Sequence, residues 1–288
     1  MDFIALIKLM RPKQWIKNFF VFAAIIFSGN FLNIDILKVN IYTFILFCLT
    51  SSSVYILNDI VDIEKDKCHP DKKHRPLPSG KISKRAAVVS DIIIIAFVGA
   101  MSWLYINPGI FIIFTVYFVV NVLYSFKLKN IVIIDAMIIT FGFVLRVASG
   151  SLATKVEISP GLILCTILLS LFLALNKRKS EIVMLQDNCT SHRKILEEYS
   201  IDLIDKMLTI VNPSILMAYC LYTFSSSQSR TMMFTIPFVL YGIFRYEYLM
   251  DKKNIGSKPE DVFVKDLPFL INILLWILSV LIIIYLKL

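Results

Sequence analysis

Apolar residues run through this chain in long blocks, broken by short polar segments, rather than in the one-sided stripes of a soluble helix. A bilayer crossing needs roughly 20 mostly apolar residues. Nine stretches approach that length: about 17–32, 40–60, 87–106, 109–126, 130–150, 160–176, 207–226, 231–249 and 267–286. None shows the short alternating segments of an outer-membrane barrel. The pattern predicts an all-α, polytopic integral membrane protein with nine transmembrane helices, its 288 residues forming a single transmembrane domain.

The polar segments are asymmetric. Connections on one side are tight, as at Ile106-Asn107-Pro108-Gly109, whereas 61–86, 177–206 and 250–266 are long. The ordinary helix–helix connection has about 2–8 residues, and longer ones usually carry function. Two of these long segments follow the second and sixth spans, which hints at two similar four-helix halves plus a last helix. With the N-terminus placed in the cytoplasm, 25 of the 30 lysines and arginines fall inside and four outside, Arg146 lying within a span. That split obeys the positive-inside rule. It predicts a cell-membrane (inner-membrane) protein with its long loops cytoplasmic and its C-terminus outside.

Composition changes this picture little. The hydrophobic share is 57% and the mean hydropathy +0.74, well above a soluble domain. Membrane insertion and attraction to anionic lipid account for the net charge of +9, so no nucleic-acid partner is expected. The first apolar run, following Lys17, is flanked like a signal anchor and lacks a small-residue cleavage site. Cys68 and Cys189 fall in cytoplasmic loops, where disulfides are rare. Cys68-His69 with His74 lacks the second ligand pair that zinc requires.

The chemistry collects on the cytoplasmic side. Asn58-Asp59-Ile60-Val61-Asp62-Ile63-Glu64-Lys65-Asp66 ends the second apolar run. On a helix, Asp59, Asp62 and Asp66 share one face, and Glu64 falls opposite. Carboxylates crowded on one face repel unless a cation lies between them, and hard oxygen donors suit Mg²⁺ with room left for phosphate oxygens. The plain alternative is a set of charges solvating a helix end. Asn58 can orient a carboxylate or donate to a phosphate. Asp59, Asp62 and Asp66 are therefore the candidate Mg²⁺ ligands and catalytic groups.

Basic residues follow at once in Lys72-Lys73-His74-Arg75-Pro76-Leu77-Pro78-Ser79-Gly80. Lys72 and Arg75 are candidate phosphate contacts, arginine being suited to bidentate binding. Lys73 and Lys84 read as ordinary positive-inside charge. Tyr124 and Lys129 flank the end of the fourth span on the same side, and Asp135 follows one and a half turns into the fifth. An ionisable group inside an apolar span faces the bundle interior or a wet cavity, which makes Asp135 a candidate catalytic residue. Arg146 lies close to the same face, as a substrate contact or a structural ion. After the sixth span come Lys177, Arg178 and Glu181; Lys177 and Glu181 also have the i, i+4 spacing of a simple helix pair. Lys17, beside an interfacial Trp15, either reaches inward or snorkels.

These residues together resemble the UbiA superfamily of intramembrane prenyltransferases. Its signature Asn-Asp-x-x-Asp-x-x-x-Asp is met by Asn58, Asp59, Asp62 and Asp66. A narrower likeness is to its decaprenyl-phosphate phosphoribosyltransferase branch. It rests on Arg-Pro-x-Gln-Trp-x-Lys-Asn at 11–18, His-Pro-x-Lys-x-x-Arg-Pro at 69–76, Leu145-Arg146, Lys-Arg-x-x-Glu at 177–181, Pro259-Glu260-Asp261 and Lys265-Asp266. Aromatic prenyltransferases of the superfamily carry a second acidic Asp-x-x-x-Asp motif after the sixth span; here Asn176 to Glu181 puts cations in that place.

The resemblance implies a nine-helix bundle around a cavity open to the cytoplasm. It implies Mg²⁺-dependent transfer of 5-phosphoribose from 5-phosphoribosyl 1-diphosphate to a polyprenyl (decaprenyl-type) phosphate, a step of cell-envelope biosynthesis. The basic residues Lys17, Lys72, Arg75, Lys177 and Arg178 would hold the acceptor and the 5-phosphate. The alternatives are prenyl transfer from a polyprenyl diphosphate to an aromatic or other acceptor, and a transporter. One-sided motifs disfavour transport, which places its site near the midplane. The lipid bilayer is the expected partner, and a homo-oligomer is compatible with the sequence.

Overall fold

The computed structural model describes residues 3–67, 72–186, 198–225, 230–253, 262 and 266–286, and among them there is helix and no strand. Helices α1 (Phe3–Leu9) and α2 (Ala23–Phe27) flank a 3₁₀ segment at Pro12–Phe22. Then come α3 (Ile34–Val61), α4 (Ile63–Lys67), α5 (Lys84–Met101) and α6 (Pro108–Phe126). Helices α7 (Ile134–Thr154), α8 (Pro160–Gln186), α9 (Ile201–Ser225), α10 (Ile236–Lys253) and α11 (Leu267–Leu286) complete the chain.

Among the described residues, seven helices have the length and hydropathy to cross a bilayer: α3, α5 with its π-helical extension to Ile106, α6, α7, α8, α9 and α11. The other two expected spans take different forms. The first is wound as the 3₁₀ segment Pro12–Phe22 followed by α2. Because a 3₁₀ helix rises about 2.0 Å per residue, this short run still reaches roughly 30 Å. The eighth is a 3₁₀ turn at Arg230–Thr235 leading into α10, whose last turns carry Arg245, Glu247 and Asp251.

The packing is that of a membrane protein, with hydroxyl residues admitted among the buried apolar ones and large apolar side chains left on the outside. Thr50, Ser51, Ser52, Ser53, Ser149, Thr166 and Ser170 are all buried. Small hydroxyl residues let helix backbones approach and satisfy their own oxygens on carbonyls one turn back, as Thr50 does on Leu46 and Ser170 on Thr166. Outward-facing Leu274, Leu278 and Ile282 on α11, or Ile92 and Ile93 on α5, are exposed as lipid-facing residues should be. The chain is a multi-pass membrane protein.

Two compact units emerge, residues 1–128 with 145–157, and residues 129–144 with 158–288. Helix α7 contributes its first half to the second unit and its second half to the first. The first unit is centred on α3, which packs on α5, α6 and the 3₁₀ segment, with Phe47, Val54, Ile110, Phe114 and Tyr117 in its core. Gly150 is required there, since a Cβ would lie 1.8 Å from the carbonyl oxygen of Val21. A second, smaller core of Ala5, Leu9, Ile56, Leu77, Ile82 and Ala87 anchors the 72–83 loop. In the second unit α8 packs on α9 around Phe172, Leu175, Ile204, Leu208, Tyr246 and Leu249.

Candidate active site

Helix α3 is capped by Asn33, whose side chain accepts from Asp35 N and Ile36 N, and it stops at Val61, where the apolar run meets charge. The expectation that all three aspartates ride one helix needs adjustment. Asp62 leaves helical geometry (φ −95°, ψ 12°), and Asp66 belongs to the separate helix α4. Helical hydrogen bonding nevertheless carries across the break, with Asp62 N donating to Asn58 O and Asp66 N to Asp62 O. The phase is kept, and Asp59 and Asp66 converge on a single cation.

That cation is Arg75. One nitrogen, Nη1, lies 3.1 Å from Asp59 Oδ1 and 2.7 Å from Asp66 Oδ2. Arg11 donates from Nη2 to the same oxygen of Asp59, and Lys72 Nζ stands 3.8 Å from Asp66 Oδ1. The carboxylates are sealed, at 4% and 5% side-chain exposure, while Arg11 and Arg75 keep 27% and 30%. Two buried anions side by side are tolerable only with cations against them.

Local structure aims these cations. Arg11 is in the left-handed region (φ 53°, ψ 61°) immediately before Pro12, whose ring disfavours the right-handed helical region for its predecessor. The Arg11 guanidinium also lies 5.0 Å over the Tyr55 ring. Trp15 Nε1 donates to Ser52 Oγ at 3.0 Å, and that hydroxyl lies 2.9 Å from Met10 O, so the segment around Arg11 is tied to α3. Asn58 accepts a hydrogen bond from Ser125 Oγ on α6, beside Tyr124.

Paired carboxylates are the kind of donor a hard divalent cation takes. Mg²⁺ is usually held by one or two carboxylates plus substrate phosphates, not by an all-protein cage. Here two carboxylate oxygens from different turns already meet at one cationic point. Among the described residues no group of three His, Cys, Asp or Glu side chains is drawn together for a metal.

The second nominated cluster lies wholly in the second unit. Arg178 Nε donates to Asp135 Oδ2 at 2.6 Å, both side chains having no exposure, and its Nη1 donates to Glu181. Tyr199 Oη donates to Asp135 Oδ1 at 2.8 Å and accepts from Ile133 N at 2.7 Å. Ile133 has φ 69°, costly for a β-branched residue, and the phenol secures that turn at the foot of α7. Lys177 Nζ is 3.9 Å from Glu181 Oε1. Asp135 and Arg178, candidate catalytic and substrate-binding residues, are thus each other's buried ion-pair partners.

Arg146 is buried in the first unit. It donates to Asn18 Oδ1 at 2.8 Å and to Tyr117 Oη at 3.0 Å, with its guanidinium over the rings of Phe47 and Tyr117. These partners are all interior side chains of the first unit. Lys17 Nζ donates to Gln14 Oε1 at 2.6 Å. Lys129 sits in the 3₁₀ turn Leu128–Asn130 between α6 and α7. Residues 68–71 and 259–261, Cys189 and Lys265 lie outside the described residues.

The sequence singles out neither Ser125 nor Tyr199, and it gives Arg11 no role of its own beyond the 11–18 motif. Arg11 stood inside a charged motif, which was the available signal. Nothing in local spacing links Ser125 to Asn58 or Tyr199 to Asp135, which lie 67 and 64 residues apart.

A sequence model of the UbiA prenyltransferase family matches residues 18–273. The chain belongs to that family. The decaprenyl-phosphate phosphoribosyltransferase of Mycolicibacterium smegmatis is 31% identical over 290 residues, covering 94% of this chain and 90% of its own. That of Corynebacterium glutamicum is 31% identical and covers 97% and 86%. Among solved structures, a UbiA homologue from Archaeoglobus fulgidus bound to GPP and Mg²⁺ superposes with a TM-score of 0.73 at 17% identity, covering 97% of this chain and 99% of its own. A digeranylgeranylglyceryl phosphate synthase structure gives 0.66 at 20% identity, covering 96% and 98%. The UbiA fold expected from the sequence is therefore the fold of this chain.

Proposed function

We propose that this UbiA-family chain transfers 5-phosphoribose from 5-phosphoribosyl 1-diphosphate to a polyprenyl phosphate of the decaprenyl type, releasing diphosphate. The observation that carries this reading is the convergence of buried Asp59 and Asp66 with partly exposed Arg11, Lys72 and Arg75. It occurs in a chain that resembles decaprenyl-phosphate phosphoribosyltransferases along nearly its whole length. The absence of a second acidic motif in Asn176–Glu181 speaks in the same direction.

Asp59 and Asp66, with Asp62 at the helix break, would hold Mg²⁺. When bound, the ion supplies Lewis-acid neutralisation of charge on the departing diphosphate. Arg75, Lys72 and Arg11 bind phosphate oxygens of the donor, arginine by its planar fork. Asn58, oriented by Ser125, completes the polar wall. The C1–O bond to diphosphate breaks and a new C1–O bond forms to the acceptor phosphate, through an oxocarbenium-like centre. The acceptor is a phosphate monoester with a second pKa near 6, already anionic at neutral pH, so no general base is needed. Attack opposite the leaving group inverts C1.

The lysine and arginine asymmetry supports a cytoplasmic site, with the N-terminus inside and the C-terminus outside. The deciding assay supplies membranes containing the chain with donor labelled in the ribose, plus polyprenyl phosphate and Mg²⁺. Label is expected in the lipid phase with stoichiometric diphosphate. Label that stays in water while a prenyl diphosphate is consumed would establish prenyl transfer instead.

A further inference from the structure

The carboxylates of the candidate site already have a cation, and it is covalently part of the chain. Arg75 Nη1 touches an oxygen of Asp59 and one of Asp66, and Arg11 takes the same oxygen of Asp59. Any divalent ion drawn to these oxygens would be placed against a guanidinium. Like charges at such a distance repel strongly where water is excluded. The ion and the guanidinium therefore compete for one position.

We infer that Arg75 and Arg11 are exchangeable counter-ions, which neutralise Asp59 and Asp66 in the donor-free protein and pass to the donor's phosphate oxygens when the carboxylates take the metal. This rests on the proposed reaction and deepens it. Metal and diphosphate are then admitted together, because each alone leaves one set of charges uncompensated. A diphosphate arriving without metal meets two buried carboxylates, and a metal arriving without diphosphate meets two guanidinium groups.

The scaffold permits the exchange without refolding. The loop bearing Arg75 is anchored by Leu77 and Ile82, which are buried at 5% and 4% in the core with Leu9 and Ile56. Its backbone is closed by Arg75 N on Lys72 O and Ser79 N on Arg75 O, and Gly80 makes the turn with φ +76°. Arg11 is held by its own left-handed backbone. The motion needed is a change of side-chain rotamer, and side chains that are 27% and 30% exposed have room for it.

The test uses the purified full chain, with Mn²⁺ as the ion (read by electron paramagnetic resonance) and labelled inorganic diphosphate as the anion. Arg75→Gln removes the resident charge. It is expected to raise Mn²⁺ affinity in the diphosphate-free protein about 10-fold, while weakening diphosphate binding in the presence of Mn²⁺ by a similar factor. Arg75→Lys keeps the charge and should stay within about 3-fold of the parent for Mn²⁺ alone. Opposite movement of the two affinities in the glutamine variant, absent in the lysine variant, supports the exchange. Unchanged or reduced Mn²⁺ affinity in Arg75→Gln, or equal behaviour of Gln and Lys variants, overturns it. Asp59→Asn separates the two readings. If Mn²⁺ binding survives that change intact, the metal assignment itself fails, whereas loss of Mn²⁺ there with no gain in Arg75→Gln rejects only the exchange.

Discussion

Two of the carboxylate–guanidinium clusters among the described residues, one in each unit, use the same chemistry and differ in exposure. In the first unit, Asp59 and Asp66 are sealed but their arginines are about a quarter to a third open. In the second, Asp135 and Arg178 are both without exposure and are locked further by Tyr199 and Glu181. An open cation can trade one anion for another, because water and incoming phosphate share the cost of its departure. A sealed one cannot leave without stranding a charge in a low-dielectric interior. The comparison separates a cluster built to exchange from a cluster built to hold.

The largest effect is expected in the sealed pair. Arg178→Ala should lower unfolding free energy by about 3–5 kcal/mol, read by thermal or denaturant unfolding in detergent, because Asp135 is left buried and uncompensated. The joint change Asp135→Leu with Arg178→Met should recover most of that loss. If the single and double variants are equally unstable, the pair is not the unit described here.

Next come the open-cluster carboxylates. Asp59→Asn and Asp66→Asn should each depress phosphoribosyl transfer by on the order of 100-fold or more, with stability close to that of the parent. Near-parental turnover in both would remove these residues from the reaction. A smaller effect is expected for Arg75→Gln, which should reduce kcat/KM for the donor by about 10-fold, the range of one charge-assisted hydrogen bond. A loss confined to the lipid acceptor would reassign Arg75.

The smallest effect belongs to Tyr199→Phe, at about 1 kcal/mol of stability, since the Ile133 N–H and one Asp135 oxygen lose a partner. It also carries a pH signature. Burial pushes the Tyr199 phenol from about 10 up to about 12. A raised folded-state value favours the protonated phenol. Its contribution is fully present below pH 10 and is lost as the pH climbs towards 12. Alkaline unfolding in that window should therefore be steeper in the parent than in Tyr199→Phe, and identical profiles would deny the phenol this role.

Much of the framework was legible because hydropathy is a local property. The run at 109–126 became α6 at Pro108–Phe126, and that at 267–286 became α11 at Leu267–Leu286. The Asn58–Asp66 signature was legible for the same reason, its residues being close in the chain. The first apolar run was harder. Nothing in its composition marks the change from 3₁₀ winding at Pro12–Phe22 to the α2 helix. Likewise, the spacing of Asp59, Asp62 and Asp66 suits an uninterrupted helix, and only the structure reveals the break at Asp62.

Side-chain order along the chain settled which segments enter the bilayer and that acidic and basic groups gather at their ends, since water–lipid transfer acts on each segment separately. Which acid meets which base was settled by packing. Arg11 finds Asp59 across 48 residues, and Arg178 finds Asp135 across 43. Such pairings depend on how helices are laid against one another, and so does the exposure that tells an exchangeable cation from a sealed one.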